Sequence, residues 1–228
     1  GVQTCALPIS AVTDGLLFVV GGRESGVQFG RTLEVYTPTS NSWSTAAPMP
    51  TGRRYLAAVA IDGSLYVVGG KESGNSYGST LEVYTPASNS WSTAAPMPTG
   101  RFALAAAGID GSLYVVGGQE SGNDYGSTLE VYTPTNNSWT TAAPMPTARR
   151  DLAAAGIGGS LYVVGGSESG NSFGSMLEVY TPASNSWLTA APMPTGRWGL
   201  AAAAIDGSLY VVGGDESDTD FGSTLEVY

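Results

Sequence analysis

Histidine is absent from the 228 residues and cysteine occurs once, which excludes a histidine-based catalytic triad, a histidine-ligated metal and a disulfide framework. Charged residues make up only 12% of the chain, and Lys+Arg 9 against Asp+Glu 19 gives a net charge of −10. This balance argues against nucleic acid or an anionic membrane surface as a partner, because both attract basic patches. No apolar run approaches the roughly 18 residues that a membrane helix requires, so membrane insertion is not expected. We therefore expect no metal site and no cofactor, and most classes of enzyme are excluded, so that a protein without catalytic activity is favoured.

Glycine is abundant, at 32 residues, and much of it belongs to a sequence repeat. The string Leu-Tyr-Val-Val-Gly-Gly at 65–70 recurs at 113–118, 161–166 and 209–214, and a variant stands at 17–22, which sets a constant period of 48. The units 51–98 and 99–146 differ at only 9 of 48 positions. Such a period predicts a repeat architecture in which each unit is one supersecondary element.

Each unit is predicted to form four short strands. In 51–98, a first apolar run ends at Asp62-Gly63, a dipeptide that favours tight hairpin turns. The second strand ends at the glycine pair Gly69-Gly70, the third runs to Tyr84, and the fourth begins near Trp91. The first strand is rich in alanine, whereas the later strands carry the tyrosine and tryptophan. This gradient of side-chain size suits sheets arranged radially, because such sheets lie close together near the central axis and further apart at the outside. An all-β propeller with one antiparallel blade per unit is therefore predicted, with the alanine strand innermost.

The recurring glycine pair, tyrosine and tryptophan (Gly69, Gly70, Tyr84 and Trp91, then Gly117, Gly118, Tyr132 and Trp139) resemble the kelch repeat. The resemblance extends from about Ser10 to Tyr228 and implies a kelch-type β-propeller whose repeats each form one blade. The arginine before the first strand (Arg53, Arg101, Arg149, Arg197) also fits that pattern, whereas Cys5 stands at the corresponding position of the first unit.

The two ends of the chain depart from the repeat. Residues 1–9 match no other unit, and we interpret them as a non-native leader of the kind that a translated sequencing adapter produces. The propeller domain is then 10–228, with units at about 10–50, 51–98, 99–146, 147–194 and 195–228. Because the fifth unit stops in its third strand, the chain is interpreted as part of a longer protein.

Columns that do not vary between units are interpreted as structural. The glycine pair is expected to need positive φ or a close backbone approach, and the tyrosine and tryptophan to pack between neighbouring blades. A glutamate in the loop after the glycine pair also never varies, and we predict that it pairs with the repeat's arginine: Glu24, Glu72, Glu120, Glu168 and Glu216. The run from Asp215 to Asp220 has the alternating oxygen ligands of a Ca²⁺ loop, but it lacks the glycine and distal glutamate of an EF-hand.

Columns that vary between units are candidates for binding a partner. Loops on a rigid scaffold are where recognition usually lies, and in partner-binding kelch domains the corresponding face is the binding surface. One variable column precedes the first strand, one follows the glycine pair, and a third lies further along that loop, at 27–28, 75–76, 123–124, 171–172 and 219–220. Because the start of the first strand and the end of the second lie at one edge of an antiparallel sheet, these columns are expected to share a face. The candidate binding residues are Arg23, Arg54, Tyr55, Lys71, Phe102, Gln119, Arg150, Asp151, Trp198 and Asp215.

Three functions are compatible with these features. The first is a non-catalytic scaffold that binds a protein or peptide through this face. The second is a carbohydrate-active kelch protein, either a lectin or a sialic-acid mutarotase-like enzyme in which an arginine such as Arg54 or Arg150 holds a carboxylate. The third is a structural repeat of a bacterial surface protein. The low lysine and cysteine content favours an exported bacterial protein.

Overall fold

The computed structural model describes residues 9–24, 29–121, 125–170, 172–217, 220–222 and 224–228. Residues 1–8, including Cys5, and most of the third variable column lie outside the described ranges, as does part of the run from Asp215 to Asp220. The chain divides into two compact units, 1–102 and 103–228.

Unit 1 contains the first two blades, each a four-stranded antiparallel sheet in chain order. The first blade consists of β1 Ile9–Thr13, β2 Leu16–Val20, β3 Leu33–Thr37 and β4 Ser42–Thr45. The second consists of β5 Ala57–Ile61, β6 Ser64–Val68, β7 Leu81–Thr85 and β8 Ser90–Thr93. The unit ends with the short strand β9 Arg101–Phe102.

Unit 2 contains three further blades. The third blade consists of β10 Ala105–Ile109, β11 Ser112–Val116, β13 Leu129–Thr133 and β14 Ser138–Thr141, with the short strand β12 Gln119–Glu120 in between. The fourth consists of β15 Ala153–Ile157, β16 Ser160–Val164, β19 Leu177–Thr181 and β20 Ser186–Thr189. The fifth has three strands, β21 Ala201–Ile205, β22 Ser208–Val212 and β25 Leu225–Val227.

Two small ribbons occupy loops that the sequence pattern leaves irregular. In the fourth blade, β17 Ser167–Glu168 pairs with β18 Ser172–Phe173, and in the fifth, β23 Asp215–Ser217 pairs with β24 Asp220–Phe221. Helical structure among the described residues is confined to single 3-10 turns, at Ser73–Asn75, Pro86–Ser88, Pro134–Asn136 and Pro182–Ser184. The predicted all-β propeller of four-stranded antiparallel blades, with a fifth blade of three strands, is confirmed.

The turns follow from the dipeptides at their centres. Asp62 and Gly63 both adopt positive φ, of 48° and 75°, which is the geometry of a type I′ hairpin turn. Gly70 has a φ of 95°, and a Cβ atom there would lie 2.9 Å from the carbonyl oxygen of Arg54. The glycine pair is therefore required both for its backbone conformation and for a close approach, as predicted.

The alanine strands lie together inside each unit. In unit 1, β1 is the neighbour of β5, and in unit 2, β15 lies beside both β10 and β21. The fourth strands, which carry the tryptophans, expose most of their residues. Small side chains thus pack where neighbouring blades converge and large rings lie where they diverge, as the sequence indicated.

Within a unit, tyrosine and tryptophan join a blade to the one before it. In the second blade, the Tyr84 and Trp91 rings lie 5.2 Å apart, and Trp91 Nε1 donates to the Ala47 carbonyl oxygen at 2.7 Å. Asn89 Oδ1 accepts from the Tyr84 hydroxyl at 2.9 Å and from the Ala47 backbone N–H at 2.8 Å. The polar edges of both rings are therefore satisfied, which confirms the expected packing between sheets.

The repeat's arginine is buried in every described copy, but its main partner is not the one expected. Arg53 pairs with Glu82 of the third strand, and Arg149 Nη2 lies 2.6 Å from Glu178 Oε2. Glu72 instead accepts a hydrogen bond from the Thr80 hydroxyl at 2.9 Å and so holds the loop between the second and third strands. The predicted pairing is thus only partly right: Glu216 does lie 3.4 Å from Arg197, beside that arginine's closer partner Glu226.

Candidate functional site

Two of the variable columns meet as a backbone ladder. In the second blade the N–H of Lys71 donates to Arg54 O at 2.7 Å, and the N–H of Arg54 donates to Lys71 O at 3.1 Å. The same exchange joins Arg150 to Ser167 in the fourth blade and Trp198 to Asp215 in the fifth. We call these paired positions, with the residue after the first of them, the ladder edge of a blade. The variable residues on each side are therefore held in fixed register by main-chain bonds rather than by their side chains.

The ladder edge in unit 1 carries cations that lie against aromatic rings. The Arg54 guanidinium carbon is 5.4 Å from the centre of the Phe29 ring and 5.5 Å from that of Tyr55. Lys71 Nζ lies 4.8 Å above Phe102, whose ring also contacts Tyr77, with centroids 5.3 Å apart. Such cation–π contacts fix the position of a charge without neutralising it.

No carboxylate among the described residues pairs with the cations of this cluster. Within the part of the chain that the structure describes, neither Arg54 nor Lys71 forms an ion pair, although both are half-buried. By contrast, the repeat's four arginines are fully buried. Of the 9 basic residues this leaves 9 − 4 = 5, and four of those five belong to unit 1: Arg23, Arg31, Arg54 and Lys71. Although the chain is strongly acidic, its accessible positive charge is concentrated in unit 1.

The ladder edge in unit 2 has a different chemistry. Arg150 Nη1 donates to Gln119 Oε1 at 3.0 Å, its guanidinium carbon lies 5.3 Å from the Tyr125 ring centre, and its Nε is 3.7 Å from Asp151 Oδ2. Burial raises the pKa of Asp151 to about 6, with Arg150 opposing the shift and Asp215 adding to it. Burial also raises the pKa of Asp215. The groups of this edge are therefore paired with one another, and the raised pKa of Asp151, about 6, distinguishes it from an ordinary carboxyl.

The predicted site residues divide by exposure. Arg23 is exposed, and Arg54, Tyr55, Lys71, Gln119, Arg150, Asp151, Trp198 and Asp215 are half-buried. Phe102 is 9% exposed and lies under Lys71 and against Tyr77, so it supports the edge rather than facing solvent. Direct contact between Phe102 and a partner therefore stays a prediction.

Three aromatic residues that support these edges were not predicted from the sequence. Phe29, Tyr77 and Tyr125 recur at the period of 48 in the loop before the third strand. Arg54 lies on Phe29 and Arg150 on Tyr125, in both cases a ring at the same earlier position of the preceding repeat. An aromatic column of fixed period was the available signal.

The described residues contain neither a candidate metal site nor a candidate membrane-spanning helix. They contain no cluster of three or more acidic, cysteine or histidine side chains that could hold a metal ion. No helix among them is long and apolar enough to cross a membrane.

The comparisons with known proteins agree with this architecture. No curated protein matches the sequence. Among solved structures, the chain is similar to one titled "Structure of YjhT", with a TM-score of 0.79 at 18% sequence identity, covering 96% of this chain and 79% of that one. A likeness at this identity shows the fold alone. The KLHDC2/KLHL20/DRC7 Kelch-repeats domain model matches residues 9–214, and with this match over most of its length the chain belongs to the kelch-repeat family.

Proposed function

We propose that the protein is a non-catalytic scaffold whose ladder edges bind a protein or peptide, and that the edge in unit 1 takes an acidic segment of that partner. One observation above all supports this function. Arg54 and Lys71 are two positioned cations, supported by aromatic rings, that have no carboxylate partner among the described residues. A partner carboxylate would supply the missing charge-assisted hydrogen bonds.

The composition of this edge also suits protein recognition. Arginine and tyrosine are enriched among the residues that dominate binding energies at interfaces. Rigid ladder bonds below these side chains limit the entropy lost on binding, because the backbone is already ordered. The exported location that the composition favours is compatible with this function and stays a prediction.

The direct test is binding of fluorescent acidic peptides, measured by anisotropy at two salt concentrations. A Glu-rich peptide is expected to bind, and its Gln counterpart to bind much more weakly. Arg54→Ala and Lys71→Ala should each weaken binding by about tenfold, since a hydrogen bond to a charged group contributes about 1.5–3 kcal/mol. Arg31→Ala is the matched control, because Arg31 is a cation of the same unit that hydrogen-bonds the Met49 carbonyl oxygen at 2.7 Å.

A carboxylated sugar is the alternative ligand for the same cations. N-acetylneuraminate that displaced the peptide, or that bound where no acidic peptide did, would favour the carbohydrate-active function. Equal binding by wild type, Arg54→Ala and Lys71→Ala would reject this edge as the site.

A further inference from the structure

Two cations stand directly opposite each other at the ladder edge in unit 1. Arg54 and Lys71 exchange both of their backbone hydrogen bonds, at 3.1 and 2.7 Å. In an antiparallel pair of this kind the two side chains leave the same face of the ladder, with Cβ atoms about 4.5–5.5 Å apart. Like charges in this arrangement repel each other and destabilise the pair. The second blade therefore carries a repulsive pair at its variable edge.

The opposed cations belong to one blade and not to the repeat. At the corresponding positions, the third, fourth and fifth units combine at most one cation with a neutral or acidic residue: Phe102 and Gln119, Arg150 and Ser167, Trp198 and Asp215. Folding of a blade thus does not require two cations here. A repulsive feature that the fold does not require is a candidate for binding an anion.

Aromatic rings keep both charges at this edge. The Arg54 guanidinium carbon lies 5.5 Å from the centre of the Tyr55 ring. Lys71 Nζ lies 4.8 Å from the centre of the Phe102 ring. The Tyr55 and Phe102 rings are themselves in contact, with centroids 5.9 Å apart. The rings therefore join the two cations into one cluster without supplying a negative charge.

The carboxylate nearest to the pair in the sequence is engaged elsewhere. Glu72 follows Lys71 in extended backbone, so its side chain leaves the opposite face of the strand, and its Oε1 accepts from the Thr80 hydroxyl at 2.9 Å. Arg54 Nε is buried and has no hydrogen-bond partner within the described ranges. An anionic ligand that contacts both cations would therefore relieve their repulsion.

We propose that Arg54 and Lys71 together bind the phosphoryl group of a phosphorylated partner segment. Such a segment is a special case of the acidic segment in the proposed function, on which this assignment rests. A phosphate monoester carries a charge of about −1.5 to −2 at pH 7 and has three acceptor oxygens, so one group can bridge both cations. A carboxylate carries a single charge and would leave the pair with an excess positive charge. The planar fork of arginine can bind two phosphate oxygens, and lysine binds phosphate as a point charge.

The test uses three labelled peptides of one sequence, acetyl-Gly-Ala-X-Ala-Gly amide, with serine, glutamate or phosphoserine at X. Each is titrated with the full chain at pH 7.5 and followed by anisotropy. The phosphoserine peptide should bind about tenfold or more tightly than the glutamate peptide, and the serine peptide should bind most weakly.

The pH dependence of this preference tests for a dianion. The second pKa of a phosphate monoester is about 6, whereas glutamate, with a pKa of about 4.3, stays ionised at pH 5.5. Between pH 7.5 and 5.5 the preference for phosphoserine should therefore fall by about fourfold. The glutamate peptide is the control for titration of the protein's own groups, such as Asp151, whose pKa is about 6.

Inorganic phosphate, added as a competitor, identifies the source of the phosphoryl group. Competition only at concentrations well above those of the phosphoserine peptide supports a phosphorylated segment. Competition at the same concentration would assign the pair to a small phosphate compound and overturn the partner segment as its source.

Lys71→Gln tests whether both cations are needed. Glutamine stands at this position of the third unit, as Gln119, so the blade is expected to accept it. The variant should lose about tenfold or more in affinity for the phosphoserine peptide and most of its preference over the glutamate peptide. Arg31→Gln is the matched control, because it removes the same charge in the same unit from an exposed residue outside the opposed pair. Circular dichroism confirms that both variants fold.

The phosphoryl assignment is overturned if phosphoserine binds no more tightly than glutamate, or if Lys71→Gln leaves the preference unchanged. The proposed function stands in either case as long as the Glu-rich peptide binds at Arg54 and Lys71. Both fail together if no acidic peptide binds.

Discussion

At the scale of single residues, the most demanding feature of the fold is the arginine that is buried in four of the five units. A buried charge is tolerated only when partners replace its hydration, and Arg149 has two carbonyl acceptors and Glu178. Burial lowers the pKa of Arg149 while Glu178 opposes that shift. Arg149 therefore links neighbouring strands and is not accessible to a ligand.

Replacing this arginine should be costly. Arg149→Met leaves Glu178 buried without its cation, and we expect the free energy of unfolding to fall by about 3–5 kcal/mol. Urea denaturation followed by tryptophan fluorescence measures the change. Arg23→Met, the same substitution at an exposed position, should change stability by less than about 0.5 kcal/mol; similar losses in the two variants would contradict the structural role.

Asp151 makes stability depend on pH in an unusual direction. Its pKa is raised by burial from 3.8 to about 6, so the folded state binds the proton more tightly than the unfolded state does. The charged form therefore destabilises the fold above pH 6, and this penalty is lost as the pH falls through 6 towards 4. Asp151→Asn should raise the free energy of unfolding by about 1–3 kcal/mol at pH 7.5, because a tenfold change in proton affinity corresponds to about 1.4 kcal/mol.

Asparagine suits this position, since Asp151 has a φ of 53°. Urea unfolding at pH 7.5, 6 and 4 should show the difference between wild type and Asp151→Asn shrinking towards zero. If the variant is the less stable protein at pH 7.5, then attraction to Arg150 outweighs burial and the assignment is wrong.

At the scale of elements, the tryptophan strands show what contact with a preceding blade contributes. Trp91 donates to Ala47 O of the preceding blade, whereas Trp43, its counterpart in the first blade, is 55% exposed. Both rings pack against their tyrosines in a tilted arrangement, with centroids 5.2 Å apart. The difference thus lies in the contact between blades and not within the blade.

Conservative substitution should separate these contributions. Trp91→Phe loses the hydrogen bond and part of the packing, and the free energy of unfolding should fall by about 1–3 kcal/mol. Trp43→Phe should change it by less than about 0.5 kcal/mol, because the ring is already largely in solvent. Chemical denaturation of the two variants in parallel provides the comparison. Equal losses in the free energy of unfolding would argue against a stabilising contact between Trp91 and the preceding blade.

At the scale of the whole molecule, the sequence repeat was enough to predict the strands and turns of a blade. It was not enough to predict which side chains contact each other across strands and blades. The hairpin at Asp62-Gly63 and the close approach at Gly70 follow from local backbone chemistry, so sequence sufficed for them. Whether Glu72 or Glu82 pairs with Arg53 could not be predicted in this way, because both glutamates recur in every unit and only the strand register distinguishes them. The position of Arg54 on Phe29 depends on how neighbouring blades meet, which no local pattern encodes.

The distribution of charge over the molecule explains how an acidic protein can be expected to bind an acidic segment. Net charge −10 repels anions at long range, but screening limits that repulsion to about 8–10 Å at physiological salt. Contacts with Arg54 and Lys71 act within that distance. A lower ionic strength should therefore reduce the rate at which the acidic segment associates with the protein more than it changes the contacts of that segment with Arg54 and Lys71.

The central claim, that the ladder edge binds the partner, is tested most directly by an amide-resolved NMR titration of the labelled protein with the acidic peptide. Shift changes should concentrate at the backbone amides of Arg54, Tyr55 and Lys71, with little change at the hairpin turn of Asp62 and Gly63 at the opposite end of the same strands. Shift changes concentrated at that turn, or none at saturating peptide, would contradict it.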